Sequence, residues 1–495
     1  MIQTRSSGIL LHPTSLPGPY GIGDLGPTAH RWLDDLAAAG CKIWQVLPLC
    51  PTGYADSPYQ CFSTFAGNVY LISPDLLLEE GLVTAEDLAT CPDFPEDRVD
   101  YGPVISWKLE LLDIAFDRFD RGGLQQLHKE FETFRVSNRD WLDDFALFMS
   151  LKDLYSLRPW TTWPGPLRDR NPLQLQKART SYATEVTRHA FRQFLFSRQW
   201  KALRARAGEL GLQIIGDLPI FVAHDSADVW ANRDLFHLDD TGQPLVVAGV
   251  PPDYFSETGQ LWGNPLYRWD VHAETGYTWW LARFRAMFKL VDIVRVDHFR
   301  GFVDYWEIPG DATTAAEGRW LRGPGAQFLQ TVIDELGGLP IIAEDLGEIN
   351  PEVYVVRDQF GLPGMKILQF AFDDDLENEF LPHHYPSNCI VYTGTHDNDT
   401  NRGWWESATA EERELASDYL GVTGEDISWD LIRAAWKSNA AVAITPLQDV
   451  LSLPTSARMN FPGTLGGNWE WRMPEEAFSP ALQADLLALN RETRR

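Results

Sequence analysis

Four carboxylates in this chain stand at the ends of short apolar runs. In "VDIVRVDHFRG" (291–301), Val291, Ile293, Val294 and Val296 read as a strand buried on both faces, yet the run also holds Arg295, Asp297 and His298. Side chains alternate across a strand, so Arg295 and Asp297 share the face of Ile293. Arginine keeps its charge, and a cation beside a carboxyl favours the carboxylate, the state a nucleophile needs. "IIAEDLG" (341–347) puts Glu344 on the face of Ile342 among apolar neighbours. Desolvation raises the pKa of such a carboxyl and suits it to donate a proton. "VYTGTHDND" (391–399) ends with Thr395 and Asp397 on one face and His396 on the other, and "IIGDLPI" (214–220) carries Asp217. A single Arg–Asp pair is as readily a packing device as a catalytic one, but carboxylates at four strand ends exceed what packing needs. Two carboxyls in opposite protonation states are what glycosidic chemistry uses. One attacks the anomeric carbon; the other protonates the leaving oxygen and then deprotonates the incoming hydroxyl. A third carboxylate could bind ring hydroxyls and help distort the sugar, with the histidines as donors to its hydroxyls.

Such residues need a frame that gathers strand ends. Apolar runs recur at 8–12 ("GILLH"), 43–49 ("IWQVLPL"), 212–220 ("LQIIGDLPI") and 291–298 ("VDIVRVDH"). The series continues at 339–346 ("LPIIAEDL"), 365–370 ("MKILQF"), 389–398 ("CIVYTGTHDN") and 443–450 ("AITPLQDV"). Helical patterns separate many of them; residues 182–209 form a long one that stops at Gly211 and feeds a strand. Eight short strands alternating with helices predict an α/β fold, a (β/α)8 TIM barrel working at its C-terminal rim. The expected organisation is a single catalytic barrel over 1–495. A mostly helical subdomain is inserted after the second strand, at about 50–210, with stripes such as Leu111, Leu112, Ala115, Phe116, Phe119 and Leu142, Phe145, Met149. Residues 221–290 form a second enlarged connection, and its Gly-, Pro- and aromatic-rich centre, 247–267, is expected to be a shaped loop covering the substrate.

Composition narrows the class. The 495 residues carry a formal charge of −28, from 42 basic and 70 acidic side chains, which argues against nucleic acid or an anionic membrane as partner. No apolar stretch reaches 18 residues, and the five cysteines are odd in number without metal-type spacing, so a reduced, cytoplasmic protein is expected. The 20 tryptophans suit a large core or platforms for sugar rings. A metal-dependent hydrolase using His12, His298 and His396 lacks the histidine spacing it needs, with no H-x-H on the first strand and no H-E-x-x-H. No G-x-G-x-x-G or P-loop cradles a phosphate. A non-catalytic glucan binder would leave the ionisable cluster superfluous.

Longer motifs are more specific. "GILLHPTSLPGPYGIGDLG" (8–26), "DSPYQCFSTFAGN" (56–68), "DLPIFVAHDSADVW" (217–230), "GQLWGNPLY" (259–267) and "RMNFPGTLGGNWEWR" (458–472) stand in that order along nearly the whole chain. Together they resemble the amylomaltases, the 4-α-glucanotransferases (disproportionating enzymes) of the glycoside hydrolase group related to α-amylases. The resemblance implies that Asp297 is the nucleophile, Glu344 the general acid/base and Asp397 the carboxylate that stabilises the transition state. It implies that Asp217, Arg295, His298 and His396 hold the glucose ring at the cleavage point, and that Ser57 and Tyr59 face the glucan. Tyr254, Phe255, Gln260, Trp262 and Asn264 match the family's mobile loop over the groove, Asp374 and Asn468 its acceptor contacts, and Tyr54 and Tyr101 a second glucan groove remote from catalysis. It further implies α-1,4-glucans and maltooligosaccharides as substrates, retaining double displacement, cyclic products, and no metal or organic cofactor. The alternative is an α-amylase-like α-1,4-glucan hydrolase. The transferase half of a debranching enzyme is disfavoured, since 495 residues leave no room for a second catalytic domain.

Overall fold

The computed structural model describes residues 5–252, 256–347, 349–373, 375, 377–464 and 466–495, with the Tyr54 side chain also outside the description. In chain order the described strands are β1 (Ser6–Leu10), β2 (Ile43–Gln45), β3 (Gln213–Pro219), β4 (Val246–Val250), β5 (Gln260–Pro265), β6 (Ile293–Asp297), β7 (Asp304–Pro309), β8 (Arg319–Arg322), β9 (Ile341–Ala343), β10 (Gly364–Ile367), β11 (Cys389–Tyr392) and β12 (Val442–Pro446). Eight of them form one sheet in the order β10-β11-β12-β1-β2-β3-β6-β9, parallel throughout. The two ends meet where the Ala343 amide donates to the Pro363 carbonyl at 2.9 Å. The result is a (β/α)8 barrel, and its strands are the eight apolar runs singled out in the sequence.

Alternation along each strand explains the packing. Leu10, Ile43, Ile215, Ile293, Ile342, Ile367, Ile390 and Ile444 point inward and form the barrel's own core. Their neighbours Ile9, Trp44, Ile214, Val294, Ile341, Val391 and Ala443 point outward into the larger core shared with the helices. At Gly8 an added Cβ would lie 2.6 Å from the Ile43 carbonyl oxygen, so β1 and β2 can approach only because that side chain is missing.

Between β2 and β3 run the long helices Tyr101–Asp120, Gln125–Leu154 and Ala183–Glu209. Leu111, Leu112, Ala115, Phe116 and Phe119 are buried on the first, where Phe119 stacks on Phe191 of the third with ring centroids 4.3 Å apart. The third helix ends as its sequence indicated: Gly211 adopts φ +69, the Leu212 amide donates to Ala207 O at 2.9 Å, and β3 begins at Gln213. Among the described residues no helix is long and apolar enough to cross a membrane.

Two expectations are corrected. Residues 247–267 are not simply a loop: β4 and β5 pair antiparallel there (Gly249↔Leu261, Val250↔Gln260). β4 also pairs with β7, which pairs with β8, giving a separate sheet in the order β5-β4-β7-β8. The β4–β7 pairing bridges a long stretch containing β6, so local sequence pattern carries no sign of it. The second correction is at 389–398. The strand stops at Tyr392, and His396 and Asp397 lie beyond it in a turn where alternation no longer applies.

Candidate active site

The C-terminal ends of β3, β6 and β9, with the turn after β11, converge on one polar cluster. Register sets the first part, because β3 and β6 pair Asp217 with Arg295 and Pro219 with Asp297. Arg295 Nη1 lies 2.7 Å and 2.9 Å from the two Asp217 oxygens and 3.0 Å from Asp297 Oδ1. Burial opposes charge on Arg295, but the Asp217 and Asp297 carboxylates on either side hold its pKa well above the ordinary value. Asp217 has no exposed side-chain surface, whereas that of Asp297 is 30% exposed. Burial pushes Asp217 up, and the opposing Arg295 charge limits the rise. One guanidinium therefore ties a buried carboxylate to an open one.

Glu344 continues β9 beside Asp297. Its amide donates to Val296 O at 3.2 Å, and its own carbonyl accepts from Phe299 N at 3.2 Å. Its carboxyl accepts from the backbone amides of His298 (2.7 Å, Oε2) and Leu346 (3.0 Å, Oε1). His298 N belongs to the peptide bond that follows Asp297, so the Glu344 carboxyl is anchored to the backbone next to Asp297. Burial pushes the Glu344 pKa up to about 7; Arg295 pulls it down, and the Asp297 carboxylate adds to the rise. His298 adopts left-handed φ 54, ψ 50, an uncommon region for a residue with a side chain and one that gathers at functional sites. Its Nε2 is buried without a partner among the described residues, and burial lowers its pKa to about 4.

The turn after β11 supplies Asp397, which is half exposed. His396 Nε2 lies 3.3 Å from Asp397 Oδ2, and Asn460 Nδ2 donates to Asp397 Oδ1 at 2.6 Å. Burial alone would raise Asp397; the His396 charge and hydrogen bond, the Asn460 bond and Arg295 outweigh it and hold the carboxyl below the usual range. In return Asp397 raises His396 against the effect of burial. Tyr59 closes the ring: its hydroxyl donates to Asp217 Oδ2 at 2.9 Å and lies 3.4 Å from His396 Nδ1, while its ring stacks on His396 at 5.0 Å. Asp217, Arg295, Asp297, Glu344, His396, Asp397 and Tyr59 thus form one connected group. Among the described residues no three His, Cys, Asp or Glu side chains converge as a metal-holding group.

The sequence profile of the 4-alpha-glucanotransferase family matches residues 11–478. The chain belongs to the 4-alpha-glucanotransferase family. It is 52% identical to the 4-alpha-glucanotransferase of Thermus thermophilus, over 99% of each chain. To the chloroplastic/amyloplastic 4-alpha-glucanotransferase of Solanum tuberosum it is 44% identical, over 98% of this chain and 85% of that one. Its structure is similar to that of an amylomaltase from Streptococcus agalactiae in complex with acarbose, with a TM-score of 0.96 and 39% identity over 99% of each chain.

Around this centre the remaining expected residues of the transferase separate into two groups. Trp262 stands edge-on to His298 with ring centroids 4.9 Å apart, and its Nε1 donates to Gln260 at 3.1 Å. Ser57 Oγ accepts from the Tyr59 amide at 3.3 Å and so shapes the loop beneath the ring. Others are bonded to the backbone. Asn264 is buried and donates to Val222 O at 2.9 Å. Asn468 accepts from Phe461 N at 2.8 Å and donates to Thr464 O at 3.2 Å. Tyr101, expected on a remote glucan groove, is instead buried, and its hydroxyl donates to Trp469 O at 2.9 Å, close behind the site. Tyr254, Phe255 and Asp374 lie outside the described residues, as does the Tyr54 side chain.

Three neighbours of the centre escaped the sequence reading. Trp469 packs against Tyr59 and His396 at 5.8 Å and 5.9 Å. Asn460 holds Asp397, and Arg458 donates to the Asp397 carbonyl at 2.5 Å. All three lie in the motif 458–472; a search for titratable strand ends passes over them because they sit on a loop and carry no acid.

Proposed function

We propose that this 4-alpha-glucanotransferase moves α-1,4-glucan segments between maltooligosaccharide chains by double displacement with retention. Asp297 Oδ attacks the anomeric carbon as Glu344 gives its proton to the departing 4-oxygen, leaving a glycosyl ester on Asp297. An acceptor 4-hydroxyl then attacks that carbon, its proton returns to Glu344, and the Asp297 carboxylate is released. Asp397 binds ring hydroxyls and offsets the positive charge that develops at the anomeric centre, while Asp217, without exposed surface, holds Arg295 in place.

The observation that carries this reading is the contrast between the carboxyls. Glu344, with a pKa near 7, keeps a proton available at neutral pH, whereas Asp297 is ion-paired with Arg295. Retention calls for carboxyls about 5–5.5 Å apart. Neighbouring strands lie about 4.8 Å apart, so side chains at matched positions of β6 and β9 suit that spacing. Long donors could curl back to give cyclic glucans. The five free cysteines accord with a cytoplasmic setting.

Incubation with maltotriose alone tests the reading. Glucose plus a ladder of chains longer than the substrate is expected, unaffected by EDTA. Products no longer than maltotriose would make the enzyme a hydrolase of the α-amylase kind.

A further inference from the structure

Asp397 lies five residues past the end of its strand, and among the described residues its amide reaches only Thr395 Oγ1, at 3.3 Å. Its order comes from the far end of the chain. Asn460 Nδ2 donates to Asp397 Oδ1 at 2.6 Å. Arg458 donates from Nη2 to the Asp397 carbonyl (2.5 Å) and from Nε to the Asn460 carbonyl (2.7 Å), clamping the two backbones together. The loop that bears them closes on itself, with Trp469 N donating to Met459 O at 2.7 Å and Phe461 N to Asn468 Oδ1 at 2.8 Å. The same loop sets Trp469 against His396. His396 therefore holds one Asp397 oxygen, at 3.3 Å, and Asn460 the other, more tightly.

We propose that Asn460, anchored by Arg458, is a positioning residue of the transfer reaction, fixing the plane and the ionised state of the Asp397 carboxylate. This rests on the reading that Asp397 acts in the reaction. Without the Asn460 donor the carboxylate is held on one oxygen and can rotate about its Cβ–Cγ bond, so its charge no longer meets the anomeric centre at a fixed angle. The groups around Asp397 are His396 and Arg295 as cations, Arg458 on its backbone carbonyl and the Tyr59 hydroxyl, with the Asp217 and Asp297 carboxylates beyond them on Arg295 and Tyr59. Loss of a donor in that company favours protonation, and a second carboxyl at position 460 favours it more.

The test measures kcat, KM and the acid limb of the pH profile for Asn460→Ala and Asn460→Asp, with Asp397→Asn as control. For Asn460→Ala the expectation is a kcat lower by about 10- to 100-fold, with KM for maltotriose within about twofold of the parent. The acid limb is expected to move to higher pH in the order parent, Asn460→Ala, Asn460→Asp. A limb midpoint does not depend on how much of the enzyme is folded, so a destabilised loop leaves this readout intact. An unmoved limb, or a loss confined to KM or thermal stability, overturns the proposal. If Asp397→Asn transfers as well as the parent, the role of Asp397 falls and this inference with it. If Asp397→Asn is inactive while the Asn460 variants keep the parent profile, only the inference falls.

Discussion

In the proposed reaction Glu344 gives a proton in the first half and takes one in the second, so its titration should govern the alkaline side of the pH profile. With its pKa raised to about 7, kcat/KM is expected to fall as pH rises through that value. Glu344→Gln, which cannot exchange a proton, should lose about 10²- to 10⁴-fold in kcat on maltotriose. The same shift has a consequence for stability, with a definite sign. The folded value lies above the ordinary 4.5 of the unfolded chain, so between the two the native state binds more protons and stability declines as pH rises. Glu344→Gln removes that decline. Its Tm relative to the parent should therefore be higher at pH 8 than at pH 5, and an equal offset at both pH values would contradict the raised pKa.

At the scale of elements, strand ends were legible and turns were not. Ile215, Ile293 and Ile342 announced the inward faces of β3, β6 and β9, and Asp217, Asp297 and Glu344 followed them in phase. His396 was assigned the opposite face from Asp397 because the strand was read too long; past Tyr392 both turn to the same cluster. Tyr101, Asn264 and Asn468 proved to brace the backbone at Trp469, Val222 and Phe461, long-range or loop-closing contacts that no local periodicity encodes. The hairpin β4–β5 was also hidden, yet it brings Trp262 to the edge of His298. The proposed glycosyl ester on Asp297 would be open to water as well as to a sugar hydroxyl, so apolar cover at this point should favour transfer. Trp262→Ala is accordingly expected to raise the ratio of hydrolysis to transfer by about 10-fold, read from free glucose against chain elongation with maltotriose. An unchanged ratio would place the water-excluding surface elsewhere.

For the whole molecule, the eight apolar runs were sufficient to read the barrel, because a parallel sheet covered on both faces leaves a pattern of β-branched strands between helices. The sheet β5-β4-β7-β8 was not legible, since it joins segments on either side of β6. Barrel closure gives the chemistry its geometry. It carries Asp217, Asp297 and Glu344 on neighbouring strands and brings Asp397 to them from across the rim, where the loop 458–472 receives it. The central claim is that this assembly passes a glycosyl group through Asp297. Glu344→Gln should expose the intermediate when given an α-maltosyl fluoride blocked at its outer 4-hydroxyl. Fluoride departs without a proton, so the ester forms, and without a base it accumulates. Peptide mass spectrometry is expected to find one glycosyl adduct, on Asp297, and none in the Asp297→Ala, Glu344→Gln double variant. An adduct on another residue, or fluoride release with no adduct and with inversion of the product anomer, would contradict the account.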